Sequence, residues 1–159
     1  MKNTYRAMLI AAPGRLALVE RTVPAPGAYQ ALVAVEACGM CGADLNDIAR
    51  IDANGHQPRV PGHAIVGRIV ALGARTPSIW RLNQRVGVGR LGGHCNDCGP
   101  CRQGKFNLCR NQDFVGSSCD GGYAEMMLAR STGLISIPEE LSSEEAAPIL
   151  CAGIATSTR

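Results

Sequence analysis

Four cysteines in one short stretch have the type and the spacing of a metal site. They follow the pattern C-x2-C-x2-C-x7-C, at Cys95, Cys98, Cys101 and Cys109. Four thiolates in a single excursion rich in turn-forming residues can surround one ion tetrahedrally, which is the usual arrangement of structural zinc. The spacing therefore predicts a structural zinc lobe over residues 93–112.

An iron–sulfur cluster is the alternative for this lobe, because a ferredoxin-type run also begins C-x2-C-x2-C. That run closes with x3-C-P, whereas here seven residues separate Cys101 from Cys109 and Arg110 follows. Unconnected buried thiols would be the ordinary interpretation of single cysteines, but four at this spacing favour a shared ion. The zinc interpretation is the one that the pattern supports best.

A glycine pattern overlaps the start of the lobe and suggests a different chemistry. Gly87, Gly89 and Gly92 spell G-x-G-x-x-G, the pattern of a loop that binds a dinucleotide pyrophosphate. Such a loop needs a helix directly after it, since the helix N-terminus faces the phosphates. The residues from Gly93 to Pro100 are among the poorest helix openings. The match is interpreted as accidental, and no cofactor-binding residue is predicted.

Short aliphatic segments bounded by Gly, Pro or Asn must position these groups. The segments predicted as strands are Tyr5–Ala11, Leu16–Arg21, Ala31–Ala37, Ile65–Leu72, Arg85–Val88, Tyr123–Ala129 and Leu134–Ile137. Many short strands joined by such turns predict a mainly β fold with few helices, a barrel or a sandwich.

Two helices are predicted between and after these strands. One begins near Gly42 and runs through "ADLNDIA". The other follows "LSSEEAAPIL", where Ser142 and Glu145 have the spacing of a capping box. Pro148 should kink this second helix, because proline lacks a backbone N–H and clashes with the preceding turn.

Length and composition narrow the class of protein. A chain of 159 residues can bury one core, so a single domain over 1–159 is predicted. A net charge of +3 without a basic cluster does not indicate nucleic-acid binding. The apolar runs are far shorter than the roughly 20 residues that cross a membrane, and a cytoplasmic protein is expected. In that compartment eight cysteines indicate metal binding or catalysis rather than disulfides.

Several further motifs acquire a meaning only as a group. They are "CGMCGADLND", "PGHAIVG", "DGGYAEMMLA" and "PILCAG". Together with the four-cysteine lobe, they resemble the catalytic domain of zinc-dependent medium-chain alcohol dehydrogenases, from about Tyr5 to Gly153. The fold implied by this resemblance is a GroES-like β-barrel with a zinc-binding lobe and no Rossmann domain in this chain.

The resemblance implies a second zinc ion with a catalytic role. By that resemblance Cys41, His63 and Cys151 are its protein ligands, with the fourth position left to water or substrate. Asp44 matches the carboxylate that orients the ligands. The implied function is an NAD(P)-linked alcohol or aldehyde oxidoreductase, in which zinc stabilises the alkoxide and hydride passes to nicotinamide.

Three residues depart from the family pattern near this chemistry. Ala43 stands where the family usually has the Ser or Thr that starts a proton relay, and alanine cannot carry a proton. Asn46 stands where many members have a relay histidine, and Ala64 replaces the glutamate of G-H-E. Together they weaken the acid–base half of the mechanism, which is typically worth about 10²–10⁴-fold.

Family members continue past the equivalent of Gly153 into a nucleotide-binding domain, which is expected to be absent here. The isolated chain is then predicted to be inactive, since NAD or NADP would require that domain. The wall around Cys151 and Ile154 would be uncovered, consistent with 18% charged residues. The expected partners are a small alcohol or aldehyde and, through the uncovered face, further copies of the chain.

Two other functions compete with the enzyme. A non-catalytic zinc-binding scaffold or interaction domain is favoured by the three departures. A thiol redox protein that uses Cys38 and Cys41 as C-x-x-C is less favoured, because that motif usually opens a helix in a βαβ unit. Cys38 and Cys119 are otherwise expected to be buried fillers, and His56 and His94 to be surface residues.

Overall fold

Residues 3–49 and 58–157 are described in a computed structural model of the chain. The strands are β1 (Thr4–Ala12), β2 (Arg15–Thr22), β3 (Gln30–Gly39), β4 (Ala64–Leu72), β5 (Arg85–Val88), β6 (Met126–Arg130) and β7 (Leu134–Ser136). The helices are α1 (Gly42–Ala49), α2 (Gly99–Arg102), α3 (Ser143–Pro148) and α4 (Ile154–Ser157). Single 3₁₀ turns lie at Phe106–Leu108 and Ser131–Gly133, and a π turn at Ile149–Gly153 separates α3 from α4.

Five strands form one antiparallel sheet in the order β6-β3-β4-β5-β7, and β1 and β2 form a separate antiparallel ribbon. The ribbon joins the sheet through a bridge between Ala7 and Ala124 and a hydrogen bond from Met8 N–H to Tyr123 O of 2.8 Å. No parallel pair occurs among these strands, so the described part of the chain contains no Rossmann-type sheet. The prediction of a mainly β fold with few helices is confirmed.

The core lies between the sheet and the segments that cover its two faces. Alternating aliphatic residues of the central strands are fully buried, among them Val33, Ile65 and Val86. On the opposite face α3 and the π turn pack through Ala147 and Leu150, which are also buried. Burying a side chain of the size of Val, Ile or Leu stabilises a fold by about 1.5–3 kcal/mol. These layers hold the ends of β3 and β4 rigidly, and the candidate site lies at those ends.

The glycines of the rejected nucleotide pattern have a packing role. A Cβ at Gly87 would lie 2.7 Å from Leu150 Cδ1, and one at Gly89 would lie 2.9 Å from Leu150 O. No helix follows Gly92 directly, since the first helical residue after it is Gly99. The interpretation of G-x-G-x-x-G as accidental agrees with this arrangement.

Two details differ from the sequence predictions. The sixth strand begins at Met126 rather than Tyr123, because Gly121, Gly122 and Tyr123 hydrogen-bond to residues 60–62 instead of to the sheet. The short helix α2 was not predicted. It begins inside the lobe, where Pro100 occupies a first-turn position that needs no N–H donor.

Candidate metal centres

The four lobe cysteines converge on one point. Their sulfur atoms are separated by 3.4 Å between Cys98 and Cys101, 3.9 Å between Cys98 and Cys109, and 3.6 Å between Cys109 and Cys95. Zinc–sulfur bonds of about 2.3 Å in tetrahedral geometry place neighbouring sulfurs about 3.8 Å apart. The donor set and its spacing therefore fit a single zinc ion.

Backbone N–H groups inside the lobe favour the thiolate form of Cys95 and Cys98, whereas burial raises the pKa of Cys101 to about 12. The N–H of Cys98 donates to Cys95 Sγ at 3.4 Å, and the N–H of Arg110 donates to Cys98 Sγ at 3.5 Å. Backbone N–H groups of Asp97 and Cys98 lower the pKa of Cys95 to about 6. The Arg110 N–H likewise lowers the pKa of Cys98. These donors stabilise negative charge on two of the four sulfurs.

His94 is partly buried at the surface of the lobe rather than fully exposed. Its ring stacks on Phe106 with centroids 4.1 Å apart, and its backbone N–H donates to Thr132 Oγ1 at 3.0 Å. The stack joins the two arms of the lobe, and the Thr132 contact ties the lobe to the sheet. His56 lies outside the described residues.

A second convergence unites Cys41, His63 and Cys151, which the family resemblance singled out. His63 Nε2 lies 3.3 Å from Cys41 Sγ and 3.3 Å from Cys151 Sγ, and the two sulfurs are 3.7 Å apart. Tetrahedral zinc with two sulfurs and one nitrogen requires about 3.8 Å between sulfurs and about 3.5 Å between sulfur and nitrogen. The three groups, called the cleft centre below, could hold one zinc ion and leave a fourth position open.

Each member of the cleft centre stands where a regular element begins or is interrupted. Cys41 directly precedes α1, and the N–H of Ala43 donates to its sulfur at 3.4 Å. His63 directly precedes β4 and is 1% exposed. Cys151 lies in the π turn, which begins after Pro148. Burial, followed by the neighbouring Cys41 thiol, raises the pKa of Cys151.

Asp44 lies behind the imidazole and is completely buried. Its Oδ1 is 2.9 Å from His63 Nδ1, and its Oδ2 accepts from the backbone N–H of Cys41 at 2.9 Å. A carboxylate in this position fixes the imidazole with its proton on Nδ1, so that Nε2 is free to bind a metal. One side chain thereby orients two members of the cleft centre.

An ion pair beside the cleft centre was not predicted from the sequence. The Arg90 guanidinium binds both carboxylate oxygens of Asp47, and the Nη2–Oδ1 distance is 3.1 Å. A ring nitrogen of His63 and carboxylate oxygens of Asp44 and Asp47 all lie within 4.8 Å of one another. The hydrogen bond to Asp47 raises the pKa of Arg90. The fixed positive charge offsets part of the negative charge that the carboxylates and thiolates bring.

The departures from the family pattern lie around this centre. Ala43 is partly buried and directly precedes Asp44, Ala64 is buried next to His63, and Asn46 is exposed on α1. None of the three supplies a group that titrates.

Large apolar side chains close in sequence to the cleft centre or to Asp44 are exposed: Met40, Leu45, Ile149 and Ile154. No helix in residues 3–49 and 58–157 is long and apolar enough to cross a membrane.

Fold and sites together define a mainly β domain with two candidate metal centres, one of four cysteines and one of three residues. Residues 27–139 match the alcohol dehydrogenase GroES-like domain, and the chain belongs to that family.

The relatives of the chain carry dehydrogenase names. The chain is 40% identical over 155 residues to the alcohol dehydrogenase patD of Aspergillus clavatus, and the match covers 97% of this chain and 39% of the relative. It is similar in structure to the alcohol dehydrogenase rspB of Escherichia coli in complex with NADH, with a TM-score of 0.80 and 33% identity over 93% of this chain and 42% of the other. The CAD of Helicobacter pylori in complex with NADP(H) gives a TM-score of 0.83 and 25% identity over 98% and 48%. The chain spans less than half the length of these relatives.

Proposed function

We propose that residues 1–159 form the catalytic domain of a zinc-dependent, NAD(P)-linked alcohol or aldehyde oxidoreductase, with a structural zinc lobe at 93–112. The observation that carries the proposal is the cleft centre. Its three side chains come from separate parts of the chain, 22 and 88 residues apart in sequence, and meet at zinc-ligand separations. The names of the relatives support the same reaction class.

The residues of the cleft centre have distinct tasks in this proposal. A zinc ion at this position would supply a Lewis acid that lowers the pKa of an alcohol hydroxyl. Cys41 and Cys151, as thiolates, balance its charge, and His63 completes a set of three that leaves one face open. Asp44 holds the imidazole of His63 in the orientation that directs Nε2 at the ion. The positive charge of Arg90, paired with Asp47, offsets part of the negative charge of the neighbouring carboxylates and thiolates.

The proton of the alcohol would leave through water rather than through side chains. Ala43 has no hydroxyl to pass it on, and the amide of Asn46 does not titrate near neutral pH. Cys41 and Cys151 are both partly exposed, so solvent reaches this side of the centre. General acid–base groups typically contribute about 10²–10⁴-fold, and a water path would forgo part of that gain.

The nicotinamide would be supplied by a nucleotide-binding domain that is not among the described residues. The exposed Ile149 and Ile154 flank Cys151 and form a suitable face for such a domain. Hydride transfer needs the two reacting carbons held at near-attack distance. The 159-residue chain alone should therefore show no turnover of primary alcohols with NAD⁺ or NADP⁺, and clear turnover would contradict this part of the proposal.

Zinc content tests the cleft centre directly. The chain purified with zinc should contain about two ions, one for each ligand cluster. Cys151→Ser should lower the content to about one, whereas the matched control Cys119→Ser removes a thiol outside both clusters and should leave it unchanged. Elemental analysis against protein concentration gives the ratio. Equal zinc in both variants would contradict the proposal.

A non-catalytic zinc scaffold is the second candidate, and the departures at Ala43 and Ala64 favour it. It predicts about one ion in the unmodified chain, bound by the lobe, because structural sites are closed four-ligand sites. The zinc count of the unmodified chain separates the two candidates without any assay of activity.

A further inference from the structure

The segment Asp120–Tyr123, which opens the sequence motif "DGGYAEMMLA", has no role in the chemistry proposed above. It is nevertheless bonded to the segment that ends in His63. The N–H groups of Gly121, Tyr123 and Gly122 donate to the carbonyl oxygens of residues 60, 61 and 62 at 2.7, 2.9 and 2.9 Å. In the other direction, the N–H of Val60 donates to Asp120 Oδ1 at 3.0 Å. Each of the three residues before His63 is thus hydrogen-bonded through its backbone carbonyl to the segment Asp120–Tyr123.

Close packing fixes this contact further. Gly62 has φ +95°, and a Cβ there would lie 2.5 Å from Tyr123 Cδ1. A Cβ at Gly121 would lie 2.0 Å from Gly62 O. Real Cβ atoms do not approach so closely, so both positions need glycine, and the Tyr123 ring lies directly against the residue before His63.

The hydroxyl at the end of the same ring reaches the back of the cleft centre. Its oxygen is buried, and no group in the described part of the chain meets it at standard hydrogen-bond geometry. Burial raises the pKa of Tyr123, and the Asp44 carboxylate raises it further, followed by Cys38 and Cys41. Among the charged groups that act on this hydroxyl, the Asp44 carboxylate has the largest effect and is the candidate acceptor of a hydrogen bond from it. A buried hydroxyl without a partner is costly, so this bond is favoured.

We propose that Tyr123 is a positioning residue for the metal at the cleft centre. Its hydroxyl donates to the Asp44 carboxylate that faces His63 Nδ1, and its ring supports Gly62, so the imidazole keeps Nε2 directed at the two sulfurs. The inference rests on the proposed function to the extent that an ion binds there. Partners behind metal ligands typically change metal affinity by about 10–100-fold when removed.

Tyr123→Phe tests this proposal, because it removes the hydroxyl and keeps the ring. Zinc affinity of the full chain is measured by titration in competition with a chromophoric chelator. The Cys151→Ser chain, which keeps only the lobe cysteines as a complete ligand set, identifies the phase of the titration curve that reports zinc binding to the lobe. Zinc at the cleft centre should bind about tenfold more weakly in Tyr123→Phe, with the lobe phase unchanged. Tyr5→Phe is the matched control, since Tyr5 is a buried tyrosine of the same apolar cluster and should leave both phases unchanged. Wild-type affinity in Tyr123→Phe would overturn the inference.

A double-mutant cycle separates positioning from a general loss of stability. If Tyr123 acts through Asp44, Tyr123→Phe should add little to the loss of zinc affinity already caused by Asp44→Asn. Equal losses in the presence and absence of the Asp44 carboxylate would show that the hydroxyl does not act through it, and would overturn the inference.

The His63 tautomer provides a readout that needs no metal at the cleft centre. The chain has three histidines, and nitrogen NMR at about pH 8 distinguishes a ring protonated on Nδ1 from one protonated on Nε2. In the Cys151→Ser chain with zinc in the lobe, His63 should carry its proton on Nδ1. Adding Tyr123→Phe should populate the other tautomer, and no change would count against the inference. A wild-type chain with one zinc ion would refute the proposed function while this measurement still decides the role of Tyr123.

Discussion

Cys38 and Cys119 behave differently from the six cysteines that lie in clusters. Both are partly buried, and neither belongs to a metal-compatible group among the described residues. Burial raises the pKa of Cys38 to about 12 and that of Cys119 to about 11. A thiol whose pKa is raised stays neutral below its ordinary pKa, and its thiolate appears only as the pH rises towards the folded-state value. The two are therefore packing residues near neutral pH, as the sequence predicted.

Alkylation should separate the two kinds of cysteine. At about pH 8, iodoacetamide should label the zinc-loaded chain very little, because only thiolates react and the clustered ones are bound to metal. A chelator should make Cys95 and Cys98 the most reactive sites, because their pKa values are lowered, whereas Cys38 and Cys119 should gain reactivity only as the pH approaches about 11. Mass spectrometry of labelled peptides locates the sites. Fast labelling of Cys38 or Cys119 at neutral pH would contradict this expectation.

Spacing alone predicted the lobe, because its four ligands lie in one short loop whose residues cannot build a competing core. Sequence spacing could not predict the cleft centre, because Cys41, His63 and Cys151 are remote from one another in sequence. Single cysteines or histidines are usually packing residues. The family resemblance supplied that group. Neither source assigned a role to Arg90 or Tyr123, because their partners depend on how loops far apart in the chain fold against each other.

Helix α3 shows that local signals can be sufficient at the scale of an element. The capping box is present as predicted: Ser142 Oγ accepts from the Glu145 N–H at 3.2 Å, and Glu145 Oε2 accepts from the Ser142 N–H at 3.0 Å. A buried arginine reinforces the same end, since Arg85 Nη2 donates to Ser143 Oγ at 2.9 Å. The helix docks on β3 and β4 and carries the turn that presents Cys151.

Ser142→Ala should test how much this cap contributes. Loss of an N-cap side chain typically costs about 1 kcal/mol, so the free energy of unfolding should fall by about that amount. Ser117→Ala is the control, because Ser117 is exposed on a loop and caps no helix. Urea unfolding of the zinc-loaded chains measures both, and equal midpoints would contradict the assigned role of the cap.

Strand ends were harder to predict than strand positions, and β6 shows why. The run from Tyr123 to Ala129 has the composition of one strand, but its first residues pair with the loop before His63 instead of with the sheet. Composition cannot reveal this choice, because the competing partner lies about 60 residues earlier in the chain.

At the scale of the whole molecule, the side of the domain that bears the cleft centre is the unusual one. Met40, Leu45, Ile149 and Ile154 are each at least 44% exposed, and all lie close in sequence to members of the cleft centre or to Asp44. Apolar surface grouped around a site indicates an interface. In the proposed enzyme this face receives the nucleotide-binding domain.

The isolated chain should therefore associate with itself through this face at high concentration. Replacing Ile149 and Ile154 with aspartate should reduce the average mass measured by light scattering. Leu18→Asp is the matched control, because Leu18 is 64% exposed on the β1–β2 ribbon and lies outside this face. A monomer at all concentrations, or equal association in all variants, would contradict this prediction.

The π turn at Ile149–Gly153 should tolerate no change in its number of residues. In it the N–H of Ile154 reaches back five residues to Ile149 O, one residue more than in a regular helix. Deleting a residue there would restore an ordinary helical repeat and rotate everything beyond it by about 100°. Leu150 could then keep its place against the glycines of β5, or the sulfur could keep facing the imidazole, but both could not be satisfied together. Point substitutions should therefore be tolerated in this turn far better than insertions or deletions.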